Sequence, residues 1–221
     1  MDSSQQRSFW DRHITSWSDS AYTDSKSVPF VERIARPFRK HLTLRQHLAV
    51  EIVVNSGATS VLDLGCGTGD FAVELIGTSK TLKNYWGMDI AESAIKEARE
   101  RVRAAAGSRV QTQVRVSAVE DLDPTAFQSF DFIVALGLIP YLTDEGMKRL
   151  STICKGKKYV MDYHPREASV FNAIHAVYRR TMGYPFYRMF SDSETKDRMA
   201  SFGFAPYQLI SRGPLRMIES V

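Results

Sequence analysis

The middle of the chain alternates short apolar runs with amphipathic segments. Several of the apolar runs are nearly continuous in Val, Ile and Leu, which is typical of strands buried on both faces. The predicted strands are 60–64, 84–88, 112–116, 130–136 and 158–163. Between the second and third of these, apolar residues recur with helical period over 91–106, at Ile95, Ala98, Val102 and Ala105. Strands that alternate with helices predict a parallel sheet with right-handed crossovers.

The first 56 residues have helical patterns and no strand pattern. Trp10, Ile14 and Trp17 fall on one face of a short helix. A second helix is expected to start near Pro29 and to be interrupted at Pro37, since proline removes a helical hydrogen bond. A longer amphipathic helix is then predicted over 41–55.

The sequence pattern at the end of the chain predicts helices followed by a β-hairpin. A helix near 168–181 precedes an aromatic loop at 184–190. Ser191 and Glu194 have capping-box spacing and predict a helix that runs to about Phe202 and is closed by Gly203. Two short strands, at about 205–210 and 215–219, flank a turn that contains Gly213.

Composition narrows the class of protein. Of the 221 residues, 43% are hydrophobic and 24% charged, a balance typical of globular domains. No apolar run approaches the roughly 18 residues that cross a bilayer, and the polar N-terminus does not read as a signal peptide. Two cysteines, Cys66 and Cys154, favour a reducing, cytoplasmic setting. A net charge of +4 is too small to predict nucleic-acid binding by itself.

The most informative segment leads from a predicted strand into a helix over 61–71, Val-Leu-Asp-Leu-Gly-Cys-Gly-Thr-Gly-Asp-Phe. Glycines at 65, 67 and 69 let the backbone turn tightly and approach a ligand without Cβ clashes. Asp63 is an acceptor just before them. Asp89 follows the next strand, twenty residues beyond Gly69, where a carboxylate can accept from both hydroxyls of a ribose. This spacing indicates an adenosine-bearing cofactor.

Two cofactor classes fit the glycines. Residues 67–72 match the G-x-G-x-x-A form of nicotinamide sites, which makes an oxidoreductase an alternative. The fuller pattern Asp63-x-Gly65-x-Gly67-x-Gly69 is more specific. It resembles the first motif of the class I S-adenosylmethionine-dependent methyltransferases, in which this loop lies along the amino-acid part of the cofactor.

The resemblance continues along the chain. Residues 85–95 resemble the family's second motif, 117–122 the third and 130–137 the fourth. Ala118 stands where the family often has an acidic residue, so the backbone of Val119 or the side chain of Glu120 is expected to supply the adenine contact. The resemblance implies S-adenosylmethionine as cofactor and no metal. The implied cofactor-binding residues are Asp63, Gly65, Cys66, Gly67, Gly69, Asp89, Ile90, Ala118, Val119, Glu120, Leu136 and Gly137.

The predicted fold is α/β, with a doubly wound, mostly parallel seven-stranded sheet and a C-terminal antiparallel hairpin. Residues 1–56 are predicted to form an N-terminal helical cap and 57–221 a Rossmann-like methyltransferase domain. Within that domain, 164–202 is a helical insertion before the last two strands and is expected to act as the substrate lid. Acceptor selectivity is expected to lie in the cap and the lid.

Two residues at predicted strand ends are candidates for catalysis. His164 titrates near neutrality and can accept a proton, although a histidine that is only hydrogen-bonded at a strand end is an equal alternative. Tyr141 is expected to line the wall of the pocket in preference to acting as a base. In the lid, aromatic residues and arginines suit a flat or apolar acceptor with an anionic group, and a lid core with a solvated basic face is an equal alternative. They are Phe171, Tyr178, Tyr184, Phe186, Tyr187, Phe190, Arg166, Arg179, Arg180 and Arg188.

The leading functional hypothesis is methyl transfer to an O or N atom of an aromatic or anionic small molecule, as in biosynthesis. The basic N-terminal helices leave an RNA or protein methyltransferase as a second hypothesis. Against it, Leu136 and Gly137 stand where many methyltransferases that modify amino groups of nucleic acids have an Asn-Pro-Pro-Tyr motif. The third hypothesis is a non-methylating protein that binds S-adenosylmethionine on the same scaffold. No partner beyond a small-molecule acceptor is predicted, and the oligomeric state stays open.

Overall fold

A computed structural model describes residues 3–22, 30–167, 176, 187–204, 206–213 and 215–221, and in the first two helices the side chains of 5–14 and 41–55. Its seven strands form one sheet in the order β3-β2-β1-β4-β5-β7-β6. The strands are β1 Ser60–Leu64, β2 Asn84–Asp89, β3 Gln111–Val116, β4 Phe132–Ala135, β5 Lys158–Tyr163, β6 Tyr207–Arg212 and β7 Leu215–Ser220. β1 to β5 pair in parallel, whereas β7 is antiparallel to both β5 and β6. This topology confirms the predicted fold class.

The described helices cover both faces of the sheet. They are α1 Ser3–Tyr22, α2 Phe30–Asn55, α3 Asp70–Thr78, α4 Glu92–Ala106, α5 Asp144–Cys154 and α6 Asp192–Ser201. Short 3₁₀ turns lie at Val119–Asp121, Pro124–Phe127 and Ile139–Tyr141. No helix in the described part of the chain is long and apolar enough to cross a membrane.

The central strand shows why the sheet has two cores. All five residues of β1 are buried, and successive side chains of a strand point to opposite faces. Val61 packs in the cluster that α2, α3 and α4 cover, while Leu62 and Leu64 pack in the cluster that α5 covers. On the first face Asp63 is buried with 2% of its surface exposed. A carboxylate in that position needs polar partners, and these build the site.

Several sequence predictions differ from the structure. Pro37 was expected to interrupt a helix, but α2 is one helix of 26 residues that runs through it and reaches Asn55. The predicted strand 130–136 is shorter and spans Phe132–Ala135. The capping box is confirmed, because the Ser191 hydroxyl accepts from the Glu194 amide and the Glu194 carboxylate accepts from the Ser191 amide. The helix predicted over 168–181 lies outside the described residues, apart from residue 176.

Candidate cofactor and acceptor site

The glycine loop is fastened to the end of β2. The amides of Gly65 and Cys66 both donate to the carbonyl oxygen of Met88, at 2.7 and 3.0 Å. All three loop glycines have positive φ, 81° at Gly65, 52° at Gly67 and 86° at Gly69. The loop therefore adopts a backbone that other residues rarely adopt, directly after the central strand.

Two of these glycines have different surroundings. A Cβ atom on Gly69 would lie 3.0 Å from Cγ2 of Val102, because α3 begins here against α4. A Cβ atom on Gly67 would meet no protein atom within 4 Å. Gly69 thus permits close packing inside the fold, whereas Gly67 borders open space in which a ligand can approach the backbone.

Asp89 joins the loop to the beginning of α4. Its carboxylate accepts from the amide of Gly67 at 3.0 Å and from the amide of Ala91 at 2.9 Å. Burial raises the pKa of this carboxyl group. The N-cap of α4 is Ala91, and the carboxylate of Asp11 in α1 accepts from the amide of Ser93 in the first turn of α4, at 3.2 Å. One oxygen of Asp89 thus accepts from the glycine loop and the other from the N-cap residue of α4, so this carboxylate fixes the loop against the beginning of the helix.

Asp63 lies beneath the glycine loop in a buried polar pair. The hydroxyl of Tyr85 donates to its carboxylate at 2.7 Å. Burial raises the pKa of Asp63 to about 7, against the opposing effects of the Tyr85 hydrogen bond and the nearby charge of Arg45. The carboxyl group can therefore exchange its proton near neutral pH, and its charge responds to a cation placed beside it.

A second buried carboxylate sits at the ends of β4 and β5. The side chain of Asp162 accepts from the amide of Gly137 and from Arg45 of α2, the latter at 3.2 Å. Both side chains of this ion pair are nearly buried, with 13% and 11% exposed. Gly137 has a φ of 69°, and a Cβ atom there would lie 3.1 Å from Nη1 of Arg45. The turn after β4 is thus fixed from two sides.

The predicted adenine side lies at the end of β3. Ala118 and Val119 are buried, and the preceding amide, that of Ser117, donates to the carbonyl of Asp89 at 2.8 Å. The Glu120 carboxylate accepts from the hydroxyl of Thr143, the N-cap of α5, at 2.8 Å. Because the Glu120 side chain is hydrogen-bonded to α5, the backbone of this turn is the better candidate for an adenine contact.

The remaining predicted cofactor residues line the same edge. Ile90 and Leu136 are half-buried, directly after β2 and β4. Cys66 is buried against the backbone of Gly87, with its sulfur 3.0 Å from where a Cβ atom of that glycine would lie. Burial raises the pKa of the Cys66 thiol, so this side chain is a packing residue and not a nucleophile.

Both catalytic candidates belong to one aromatic cluster. The ring centroids of Tyr141 and Tyr187 are 5.2 Å apart, and those of Tyr187 and His164 are 5.6 Å apart. Trp10 of α1 packs edge-to-face on Tyr141 at 5.2 Å. All four side chains are half-buried. The two candidates meet through Tyr187, whose ring contacts both of theirs.

The rest of the predicted lid is only partly described. Arg188 donates through its amide to the carbonyl of Pro140 at 2.9 Å and through its guanidinium to Asp144 at 3.1 Å. Arg166 pairs with Glu194. The other lid residues singled out in the sequence lie outside the described part of the chain, except for Tyr187 and Phe190. They are Phe171, Tyr178, Tyr184, Phe186, Arg179 and Arg180.

Three polar residues of the site were not predicted from the sequence. Arg45, Tyr85 and Asp162 reach it from α2, β2 and β5. Asp162 carried a usable signal, since a carboxylate inside the apolar run at 159–163 must find a partner. Among the described residues no three metal-ligating side chains cluster. The arrangement fits an uncharged or cationic ligand group at Asp63 and a diol at Asp89.

Comparison with known proteins identifies the domain. A family model described as a methyltransferase domain matches residues 61–155. No curated protein matches the sequence significantly. Among solved structures, magnesium protoporphyrin IX methyltransferase from Synechocystis PCC 6803, with bound SAH, superposes with a TM-score of 0.72 at 15% identity and covers 100% of both chains.

Two further structures share the fold. A possible histamine N-methyltransferase from Thermotoga maritima has a TM-score of 0.56 at 20% identity, over 97% of this chain and 93% of its own. The small RNA methyltransferase HEN1 has a TM-score of 0.61 at 14% identity, over 81% of this chain and 25% of its own. Residues 61–155 thus match a methyltransferase domain, and the chain shares its fold with these solved structures.

Proposed function

We propose that the protein transfers the methyl group of S-adenosylmethionine to an oxygen or nitrogen atom of a small-molecule acceptor in the cytoplasm. The observation that carries this proposal is the meeting of two groups of residues at one edge of the sheet. The first is the glycine loop, locked to Asp89 through the Gly67 amide at 3.0 Å. The second is the aromatic cluster that holds Tyr141 and His164.

The cofactor contacts follow from the donors and acceptors present. Asp89 offers two oxygens to the ribose hydroxyls, and Asp63 offers a buried carboxylate to the ammonium or to a water molecule bound to it. Gly65, Gly67 and Gly69 provide a surface without side chains along the amino-acid part. When bound, the cofactor supplies an electrophilic methyl group.

The protein's part in the reaction is alignment and removal of a proton. The residues at this edge of the sheet would align the acceptor lone pair with the carbon–sulfur bond of the cofactor, so that the new bond to the methyl carbon would form as the carbon–sulfur bond breaks and its electron pair stays on sulfur. A hydroxyl or ammonium acceptor also loses a proton, which the ring of His164 can take. Tyr141 lines the acceptor side of the pocket, and a carboxylate acceptor would need no base.

The size of the chain outside the common fold favours a small acceptor. Residues 1–56 and 164–202 are the additions predicted to act as cap and lid, and both are short. One structural neighbour acts on a porphyrin, a flat anionic molecule, and another is named as a possible histamine N-methyltransferase. A third acts on small RNA, but this chain covers only 25% of it. These likenesses support an acceptor of metabolite size, with RNA as the second candidate.

The proposal is tested by following labelled methyl groups. Purified protein and methyl-labelled S-adenosylmethionine are incubated separately with the small-molecule, RNA and protein fractions of the source cells. Label in the small-molecule fraction supports the proposal, and label only in RNA or protein contradicts it. Once the acceptor is identified, His164→Gln is expected to lower kcat by about 10²–10⁴-fold, while the affinity of the protein for S-adenosylhomocysteine stays unchanged.

A matched histidine controls for this substitution. His47 lies exposed on α2, where it pairs with Glu74, and His47→Gln should leave kcat unchanged. If His164→Gln keeps full activity and an unchanged pH profile, His164 is not the base.

A further inference from the structure

The first helix carries an aromatic residue into the proposed acceptor side of the site. Trp10 of α1 packs edge-to-face on Tyr141, with ring centroids 5.2 Å apart and an interplanar angle of 85°. Tyr141 in turn contacts Tyr187 at 5.2 Å and 73°. The three rings come from three separate parts of the chain, so the cluster exists only in the folded molecule.

Hydrogen bonds hold the other two parts of the chain to the short turn that contains Tyr141. The side-chain amide of Gln6 in α1 donates to the carbonyl of Tyr141 at 3.1 Å. From the other side, the amide of Arg188 donates to the carbonyl of Pro140 at 2.9 Å. The turn Ile139–Tyr141 after β4 is therefore clamped between α1 and the segment that returns from the lid.

The cluster does not resemble the aromatic core of this protein. Tyr85 and Tyr159, which pack inside the sheet layers, are completely buried. Trp10, Tyr141 and Tyr187 each keep part of their surface exposed, although they pack on one another. Half-exposed aromatic rings gathered at the carboxyl edge of a parallel sheet are typical of a ligand pocket, where apolar walls surround a few polar groups.

The cluster also lies between the carboxylate proposed to bind the ribose and the histidine proposed as the base. On one side Trp10 packs beside Ala91 and Ala94, at the beginning of α4, and the amide of Ala91 donates to the Asp89 carboxylate. On the other side Tyr187 contacts the ring of His164. A molecule lying against the three rings thus has the ribose carboxylate near one end and a proton acceptor near the other.

We infer that the acceptor is a planar aromatic molecule and that Trp10 of α1, together with Tyr141 and Tyr187, selects it by contact with its ring. This inference rests on the proposed function. Aromatic rings prefer edge-to-face and offset contacts, which add about 0.5–1.5 kcal/mol to the burial of their surface. A saturated molecule of the same carbon skeleton cannot make these contacts, so the cluster discriminates by ring type as well as by size.

The test uses two probes that differ only in aromaticity, 2-naphthol and decahydro-2-naphthol. Each is titrated by calorimetry into protein loaded with S-adenosylhomocysteine. Wild type is expected to bind 2-naphthol at least threefold more tightly. Trp10→Leu should weaken 2-naphthol binding by roughly 3- to 10-fold, and Trp10→Phe should retain most of it. Affinity for S-adenosylhomocysteine should stay the same in both variants.

A tryptophan elsewhere in the fold provides the matched control. Trp86 of β2 packs against Phe127 and Phe130 and beneath Arg115. Trp86→Leu should leave the affinity for 2-naphthol unchanged, and thermal unfolding verifies that each variant is folded. Equal binding of the two probes to wild type, or no binding of 2-naphthol, would overturn the inference.

Two outcomes separate this inference from the proposed function. If Trp10→Leu weakens S-adenosylhomocysteine and spares 2-naphthol, Trp10 covers the cofactor and the inference is wrong, while the proposed function stands. If wild type binds neither S-adenosylmethionine nor S-adenosylhomocysteine, the proposed function itself fails, whatever the naphthol titrations give.

Discussion

Replacing Gly67 with alanine separates a role in the fold from a role in cofactor binding. Gly67 has a φ of 52°, and its added Cβ atom would meet no protein atom within 4 Å. Gly156, in the turn between α5 and β5, is a close match, with a φ of 72° and equally open surroundings. The two glycines differ in that Gly67 lies in the predicted cofactor loop.

The expected magnitudes follow from these surroundings. A left-handed backbone costs a non-glycine residue about 1–2 kcal/mol, so both variants should lose that much stability. For a chain of this length the loss corresponds to a decrease in Tm of roughly 2–8 °C. Only Gly67→Ala should also place a methyl group against the bound cofactor. Overpacking of that kind costs about 1–3 kcal/mol, or about 5- to 150-fold in affinity.

Two measurements on each variant check this expectation. Thermal unfolding without ligand gives the change in Tm, and calorimetric titration with S-adenosylhomocysteine gives the affinity. Similar Tm values with weakened binding only in Gly67→Ala support the placement of the cofactor along the loop. Equal affinities in the two variants would refute it, because the open space at Gly67 would then not belong to the binding site.

Two further predictions concern the fold around the loop. Gly69→Ala should lower the free energy of unfolding, measured by chemical denaturation, by about 2–4 kcal/mol, which is more than Gly67→Ala should. The reason is that its Cβ atom would lie 3.0 Å from Val102 and add overpacking to backbone strain. Equal losses in the two variants would contradict this packing. The pKa of Asp63 is raised to about 7, so its contribution to stability is present below its ordinary pKa and is lost as pH rises through about 7. Without cofactor, wild type should therefore lose Tm relative to Asp63→Asn between pH 5 and 8, and a constant difference would show that this carboxyl group is not the one that titrates.

The elements with strong local signals were predictable from the sequence. β1 is a continuous apolar run interrupted only by Asp63, and its predicted range, 60–64, agrees with Ser60–Leu64 in the structure. The capping box at Ser191 was predictable because both partners lie within three residues. Where the interaction is local, the residue types alone determine the structure.

The partners that meet across the fold were not predictable in this way. Arg45 and Asp162 are 117 residues apart, and their ion pair depends on α2 packing across the ends of β4 and β5. Asp11 of α1 likewise accepts from the amide of Ser93 in α4, 82 residues away. The continuation of α2 through Pro37 was not predictable either, because the local preference of proline is to interrupt a helix.

The central claim, that this edge of the sheet binds S-adenosylmethionine, has one direct test. Purified wild-type protein is titrated by calorimetry with S-adenosylmethionine, S-adenosylhomocysteine and NAD, in parallel with Asp89→Ala. Wild type should bind the two sulfur ligands with micromolar affinity and leave NAD unbound, and the variant should lose that binding while remaining folded. Binding of NAD alone, or sulfur-ligand affinities unchanged by Asp89→Ala, would contradict the account.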